Sequence, residues 1–244
     1  MVLILTIDGW LNGITSSIIV FTSIIFGIFY IYKGTKLKAN LLIVGGFMAA
    51  FTGLLWSGPT IDLFWILLTP GNGNVSELFY VIISYVWVAP ATTFSLYLGS
   101  RLLFQKKKLL SNIFTIIFFG IGILFEVILF STIFLGTEFL FDIDTIYTPA
   151  LQIVEASFAR GSLGYLLILL ILVGVLAING VGSIIAAIKG TGLVRKKFTY
   201  LSITWFLFVT VAVFDALLPP VPILFIARMG MVVEVILLYL ALKP

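Results

Sequence analysis

Long runs of apolar residues, separated by short polar turns, dominate the chain. A helix needs roughly 20 apolar residues to cross about 30 Å of hydrocarbon at about 1.5 Å per residue. Helices are expected because an open strand would leave its backbone polar groups unpaired in lipid. The sequence therefore predicts seven transmembrane helices, at residues 11–32, 40–57, 77–104, 110–136, 162–188, 198–218 and 222–242.

Two shorter segments between these spans are predicted to be helices on one side of the bilayer. After the break at residues 57–59, residues 60–69 are largely apolar, and the turn-forming residues 70–74 follow them. Thr148-Pro149 has the pattern of an N-cap and a first helical residue, and Gly161 is the expected stop. The two segments would either close over the bundle as a lid or rest among the headgroups.

The ends of the first three spans resemble those of the last three. Lys33-Gly34-Thr35 ends the first span and Lys189-Gly190-Thr191 ends the fifth. Leu96-Tyr97-Leu98 lies just before the end of the third span, and Leu238-Tyr239-Leu240 lies just before the end of the seventh. This pattern suggests a 3+1+3 parallel repeat, an arrangement that builds several transporter folds around a central site.

Composition supports a membrane protein with a single domain. The 244 residues are 61% hydrophobic and only 10% charged, and the mean hydropathy is +1.26. A soluble domain is closer to half apolar and a quarter charged. We therefore expect residues 1–244 to form one all-α, seven-helix transmembrane bundle.

The chain contains no cysteine and no histidine. Disulfides, thiolate chemistry, imidazole metal ligands and a histidine base are therefore excluded. Retinal binding is not expected either, because Lys243 lies at the very end of the last span rather than in its middle. We expect no enzyme activity, no catalytic residue, no metal site and no cofactor.

Charged residues are sorted between the two sides of the predicted bundle. The loops on one side contain seven acidic residues, among them Asp8, Asp62 and Glu138, and Arg160 is the only basic residue there. Most of the basic residues lie on the other side. The positive-inside rule then predicts an N-terminus outside, a C-terminus in the cytoplasm and a multi-pass location in the cell membrane. Twelve of the 14 basic residues share the other side: Lys33, Lys36, Lys38, Arg101, Lys106, Lys107, Lys108, Lys189, Arg195, Lys196, Lys197 and Lys243.

The expected partners follow from the lipid environment and the basic loops. The lipid bilayer surrounds the spans, and the basic loops are expected to contact anionic lipid headgroups. Nucleic acid is not an expected partner, because the chain has no soluble basic domain. A membrane protein or a cytoplasmic protein remains a further candidate.

Four ionisable residues lie inside predicted spans, where a charge costs a few kcal/mol or more and marks a functional candidate. Glu126 is about 15 Å from the outer end of its span, and Arg228 is about 9 Å from the outer end of the last span. Asp215 is near the outer end of the sixth span, and Glu234 is near the middle of the seventh. We predict these four residues as ligand-binding candidates.

Two interpretations of these residues stay open. In the structural one, Asp215 and Arg228 form an ion pair that holds two antiparallel helices in register. In the functional one, Glu126, Asp215 and Arg228 face one outer cavity that binds a polar solute or ion. A carboxylic acid such as Glu126, buried without a partner, would favour its neutral form and could carry a proton.

Three function hypotheses follow. The first is a small-solute or ion transporter with a polar site in the outer half of the bundle. The second is a receptor-like sensor that acts through a separate cytoplasmic protein. The third is a non-catalytic membrane subunit of a complex.

Overall fold

Helices account for most of the chain. We describe them in a computed structural model that describes residues 5–70, 73–104, 107–135, 143–146, 153, 155–158, 161–217 and 221–243. The helices are α1 Ile7–Lys36, α2 Asn40–Leu54, α3 Ser57–Leu68, α4 Glu77–Tyr85, α5 Val88–Leu103, α6 Lys108–Leu135, α7 Leu163–Gly174, α8 Gly182–Lys189, α9 Gly192–Leu217 and α10 Val221–Leu242, with a π-helical segment Val175–Val181 between α7 and α8.

Six helical stretches in the described ranges are long and apolar enough to cross a membrane. Two of them are composite, because α4–α5 and α7–π–α8 each act as one stretch. A seventh crossing follows if the bent pair α2–α3 is a single span. The predicted helical, polytopic membrane fold is confirmed, with six to seven spans.

Helix α3 continues α2 after a bend of 53°. Pro59 and Gly58 stand at its start, as the sequence break predicted, and the helix packs against α1. The Asp62 carboxylate accepts hydrogen bonds from Asn74 Nδ2 at 2.7 Å and from the Val75 backbone N–H at 2.8 Å. Asp62 therefore ties the chain that follows α3 back onto the helix.

Two of the predicted continuous spans are interrupted. The span predicted at residues 77–104 is α4 followed by α5, with a break at Val86 and Trp87. Pro90 accounts for this break, because it has no N–H to donate to the carbonyl of Val86 one turn earlier. The span predicted at residues 162–188 contains the π-helical segment, a rare geometry that is often found at functional sites.

Close contacts between small residues bring α1 and α2 together as an antiparallel pair. A Cβ added to Gly27 would lie only 2.8 Å from the Gly46 carbonyl oxygen, so both glycines permit the approach of the two backbones. Helix α10 runs parallel to α1 and antiparallel to α2 and α9. The contacts Gly34–Ile43 and Gly53–Ser23 show that α1 and α2 are antiparallel. The contacts Asn12–Arg228 and Tyr30–Val235 show that α10 is parallel to α1. The contacts Asp215–Arg228 and Lys197–Lys243 show that α9 and α10 are antiparallel.

Alternating helix directions bring the basic loops to one end of the bundle. The α1–α2, α5–α6 and α8–α9 connections meet there with the end of α10. Lys197 Nζ donates to the Lys243 carbonyl oxygen across this end. We call it the lysine-rich end.

Large apolar side chains cover the outer surface of the helices. Helix α6 exposes an apolar face along its whole length, although water would disfavour such a surface. A lipid environment accounts for this pattern. The face includes Ile113, Ile116, Ile117, Phe119, Ile123, Leu124, Val127, Phe134 and Leu135.

A two-stranded hairpin lies between α6 and α7. Strand β1 Ile143–Ile146 pairs antiparallel with β2 Glu155–Phe158. The short helix predicted from Thr148 to Gly161 is therefore wrong for residues 155–158, and Thr148 itself lies outside the described residues. The sequence of β1 contains two isoleucines and a threonine, whose branched side chains favour a strand, and pairing with β1 satisfies the backbone of β2.

Candidate functional site

Arg228 is buried in the first half of α10 and is fully engaged by neighbouring helices. Its Nε donates to Asp215 Oδ1 at 2.9 Å, and its Nη2 lies 2.8 Å from the same oxygen. Its Nη1 donates to Asn12 Oδ1 and, at 3.2 Å, to Ser16 Oγ on α1. The predicted ion pair between Asp215 and Arg228 is therefore present.

Asp215 connects this pair to the bend between α2 and α3. Trp56, in the connection between those helices, donates its indole N–H to Asp215 Oδ2 at 2.7 Å. The Asp215 side chain is 21% exposed, whereas that of Arg228 is only 6% exposed. Asp215 is thus the more accessible partner of the pair.

The resulting network joins four parts of the bundle: α1, the α2–α3 bend, α9 and α10. We call Asn12, Ser16, Trp56, Asp215 and Arg228 the ion-pair network. A charged group this deeply buried is costly unless it is paired and hydrogen-bonded, and here every nitrogen of the guanidinium has a partner. The arrangement can hold a carboxylate or phosphate oxygen against Arg228, as Asp215 Oδ1 is held now.

Glu126 lies in a different part of the bundle. It is on α6, and its Oε1 accepts the backbone N–H of Ala89 at 3.2 Å. Ala89 is in the first turn of α5, where backbone N–H groups have no partner within the helix. Glu126 therefore caps the helix that restarts after the α4–α5 break.

The structure does not bring Glu126 to the ion-pair network. Helix α6 packs against α5 and α7, whereas the network belongs to α1, α9, α10 and the α2–α3 bend. In the described residues, no hydrogen bond or ion pair joins Glu126 to Asp215 or Arg228. A shared role for the three residues in ligand binding remains a prediction.

Glu234 is also separate from Arg228, because a spacing of six residues on one helix places the two side chains on different faces. It lies in the half of α10 nearer the lysine-rich end and is only 1% exposed. Its Oε1 has no hydrogen-bond partner among the described residues. The Tyr30 hydroxyl lies within electrostatic range of it and donates to the carbonyl of the next residue, Val235.

Asn179 occupies the π-helical segment and is completely buried. Its Nδ2 donates to the Ser95 carbonyl oxygen on α5 at 3.0 Å. The amide packs directly against Gly99, where a Cβ would overlap Asn179 Oδ1. Asn179 therefore packs the π-helical segment against α5.

Sequence reasoning missed three members of the ion-pair network, namely Asn12, Ser16 and Trp56. It considered only ionisable side chains within the spans. Asn12 carried a usable signal, because an asparagine within an apolar helix usually faces other helices rather than lipid. Trp56 carried no such signal, since tryptophan is common near the ends of membrane spans.

Comparison with known proteins gives no assignment. No protein-family model, no curated protein and no solved structure matches the chain. Within the described ranges, no three aspartate or glutamate side chains lie close enough together to hold a metal ion.

Proposed function

We propose that this chain is a membrane transporter for a small solute or ion, with its binding site at the ion-pair network. The observation that supports this most directly is the buried Asp215–Arg228 pair, which meets a bend in a broken span through Trp56. Broken helices and buried ionisable pairs at membrane depth are features of transport pathways.

Arg228 is suited to bind an anionic group. Two side chains of α1, Asn12 and Ser16, hold one end of the guanidinium independently of Asp215. Asp215 holds the other end and is the more exposed partner. An incoming carboxylate or phosphate could therefore replace Asp215 without releasing Arg228 from α1.

Such an exchange would be transmitted to the α2–α3 bend. Asp215 Oδ2 accepts the Trp56 indole N–H, so a movement of Asp215 changes a contact of the residue that precedes α3. Release of Asp215 would thus free α3 to change its angle to α2. This coupling would link occupation of the site to a change in access.

Uptake into proteoliposomes tests the proposal. Purified protein would be reconstituted with internal unlabelled anion, and counterflow of ¹⁴C-succinate, ¹⁴C-glutamate and ³²P-phosphate would be followed. We expect at least one of these probes to accumulate above the level in protein-free liposomes. Failure of all three would contradict an anion site at Arg228.

Substitution of Arg228 tests the residue itself. Arg228→Lys keeps the charge but loses the planar set of donors, so we expect apparent affinity for the anion to fall about ten- to a hundredfold, matching charge-assisted bonds of about 1.5–3 kcal/mol. Arg101→Lys, at the lysine-rich end, is the matched control and should keep wild-type uptake. Equal uptake by the Arg228→Lys protein would exclude Arg228 from the site.

The orientation and partners belong to the same proposal. The lysine-rich end would face the cytoplasm of a cell membrane, because translocated loops carry few basic residues. Its lysines and arginines would contact anionic headgroups. The ion-pair network would then lie in the outer half of the bundle.

A further inference from the structure

A second set of buried polar groups lies nearer the lysine-rich end than the ion-pair network. In the described part of the chain, six side chains that are at most 3% exposed have a polar atom without a hydrogen-bond partner; two of them, Asn179 and Ser183, lie in or beside the π-helical segment, and the other four lie here. These four come from three helices: α2, α9 and α10. The atoms are Thr52 Oγ1, Thr204 Oγ1, Trp205 Nε1 and Glu234 Oε1.

The two threonines differ from most helical serines and threonines in the described part of the chain, and share with Ser183 a buried hydroxyl that has no hydrogen-bond partner there. A helical serine or threonine usually satisfies its hydroxyl by donating to the backbone carbonyl four residues earlier. Thr52 and Thr204 make no such bond, so their hydroxyl oxygens remain available to another group. The usual bond is made by Thr15, Ser17, Thr35, Thr60, Thr69, Ser84, Thr93, Thr115, Thr132 and Thr199.

Thr52 and Glu234 are at the same level of the bundle. Helices α2 and α10 are antiparallel, and a Cβ on Gly45 would overlap Leu242 Cδ1, which fixes their register. Thr52 is seven residues beyond Gly45 and Glu234 is eight residues before Leu242. Both displacements run away from the lysine-rich end and amount to about 11–12 Å at about 1.5 Å per residue.

Thr204 and Trp205 reach the same level from α9. A Cβ on Gly230 would lie 3.6 Å from Leu207 Cδ2, which fixes the register of α9 against α10. Glu234 lies one turn from Gly230 towards the lysine-rich end, and Thr204 and Trp205 lie two to three residues from Leu207 in the same direction. The four residues, from three helices, therefore lie at one level along the bundle, which we call the layer.

The charge of Glu234 has no protein partner in this layer. Arg228, on the same helix, is engaged by Asp215, Asn12 and Ser16. Tyr30 on α1 lies within electrostatic range of Glu234, and its ring stacks on that of Tyr239 with the centroids 5.4 Å apart. A buried carboxylate without a partner either takes up a proton or is compensated by a positive charge such as a bound cation.

We propose that Glu234, Thr52 and Thr204 bind a sodium ion. One carboxylate oxygen and two hydroxyl oxygens are hard ligands, and a single carboxylate balances a monovalent rather than a divalent cation. Because the four side chains are at most 3% exposed, we expect the smaller sodium ion rather than potassium. The indole N–H of Trp205 is a donor only, so it would hold the carboxylate and not the ion.

This site is separate from the proposed anion site and does not depend on transport. The test is therefore a binding measurement on the purified full-length chain in detergent. ²²Na⁺ binding would be measured by equilibrium dialysis, and the melting temperature would be followed in NaCl, KCl and N-methyl-D-glucamine chloride at constant ionic strength. We expect saturable binding of one sodium ion and a higher melting temperature in NaCl alone.

Isosteric variants assign the binding to the three residues. Glu234→Gln and Thr204→Val should each weaken sodium binding at least tenfold, as should Thr52→Val. Glu126→Gln and Thr132→Val are the matched controls, because Glu126 is a partly buried acid on another helix and the Thr132 hydroxyl is bonded to its own helix. Both controls should bind sodium as the wild-type chain does.

Three results would overturn the proposal. The first is a correctly folded wild-type chain, monodisperse by size-exclusion chromatography, that binds no ²²Na⁺. The second is a melting temperature that changes with pH but is the same in NaCl, KCl and N-methyl-D-glucamine chloride, which would indicate that the layer holds only a proton or water. The third is sodium binding by Thr52→Val and Thr204→Val that equals that of the wild-type chain. These two variants test the site even if Glu234→Gln does not fold.

Discussion

Each buried ionisable side chain discussed above has its own local environment, and these environments separate residues that look alike in the sequence. Asp215 and Arg228 satisfy each other, and Asn12, Ser16 and Trp56 complete their hydrogen bonds. Glu126 Oε1 accepts a backbone N–H, whereas Glu126 Oε2 and Glu234 Oε1 have no hydrogen-bond partner in the described residues. Position within a span therefore identifies candidates but does not assign their roles.

Glu126 allows a helix-capping role to be separated from a role in proton transfer. Glu126→Gln keeps an oxygen that can accept the Ala89 N–H, so the melting temperature should stay close to that of the wild-type chain. Glu126→Leu removes the acceptor and leaves a buried donor unpaired, which costs about 1–3 kcal/mol and should lower the melting temperature clearly.

Transport by the same variant then tests the functional interpretation. If Glu126 carries a proton, Glu126→Gln should abolish uptake or its coupling to a pH gradient in proteoliposomes. Unchanged flux in that variant would rule out proton transfer by Glu126 and leave it the capping role alone.

Among individual residues, the sequence predicted the ion pair between Asp215 and Arg228 but not the other members of the ion-pair network. The ion pair between Asp215 and Arg228 could be predicted because few residues separate the sixth and seventh predicted spans, so these spans are expected to be antiparallel neighbours. Contacts with α1 and with the α2–α3 bend could not be predicted, since they depend on how distant helices pack. The unpartnered hydroxyls of Thr52 and Thr204 also become visible only when their bonds are examined in three dimensions.

Interruptions of the helices coincide with polar contacts from neighbouring helices. Asp215 accepts from Trp56 at the α2–α3 bend, Glu126 caps α5 at the α4–α5 break, and Asn179 lies within the π-helical segment. Backbone groups freed by a break in a membrane helix need partners, because lipid offers none. At the α4–α5 break, Glu126 supplies this partner, because it accepts the N–H of Ala89 in the first turn of α5.

The π-helical segment gives a direct test of this packing. Gly99→Ala would place a methyl group on Asn179 Oδ1, so the segment must shift, and overpacking of this kind costs about 1–3 kcal/mol. Gly120→Ala on α6 meets nothing within 4 Å and improves helix propensity. We expect a lower melting temperature for Gly99→Ala and an unchanged or higher one for Gly120→Ala; equal values would contradict the packing.

Spans were predicted better than their interruptions. Apolar length gave the span positions to within a few residues, apart from the start of α9, which lies at Gly192 rather than at 198. Pro90 signalled a disturbance near the α4–α5 break, but no single residue signals a π-helical segment. The hairpin strand β2 was mistaken for a helix, because strand formation there depends on pairing with β1 rather than on local preference.

For the molecule as a whole, the sorting of charge agrees with the helix directions. Antiparallel packing brings the basic loops to one end, and the ion-pair network lies in the half of the bundle away from it. The suggested 3+1+3 repeat remains a prediction. The orientation of the two ends in a membrane is the claim on which the proposed outer anion site depends.

Site-directed labelling measures that orientation directly, because the chain has no cysteine of its own. Glu77→Cys, Lys107→Cys and Lys196→Cys would each be exposed to a membrane-impermeant maleimide in intact cells and again after permeabilisation. We predict labelling of Glu77→Cys in intact cells, and labelling of Lys107→Cys and Lys196→Cys only after permeabilisation. Labelling of Lys107→Cys in intact cells would contradict the orientation and place the ion-pair network on the cytoplasmic side.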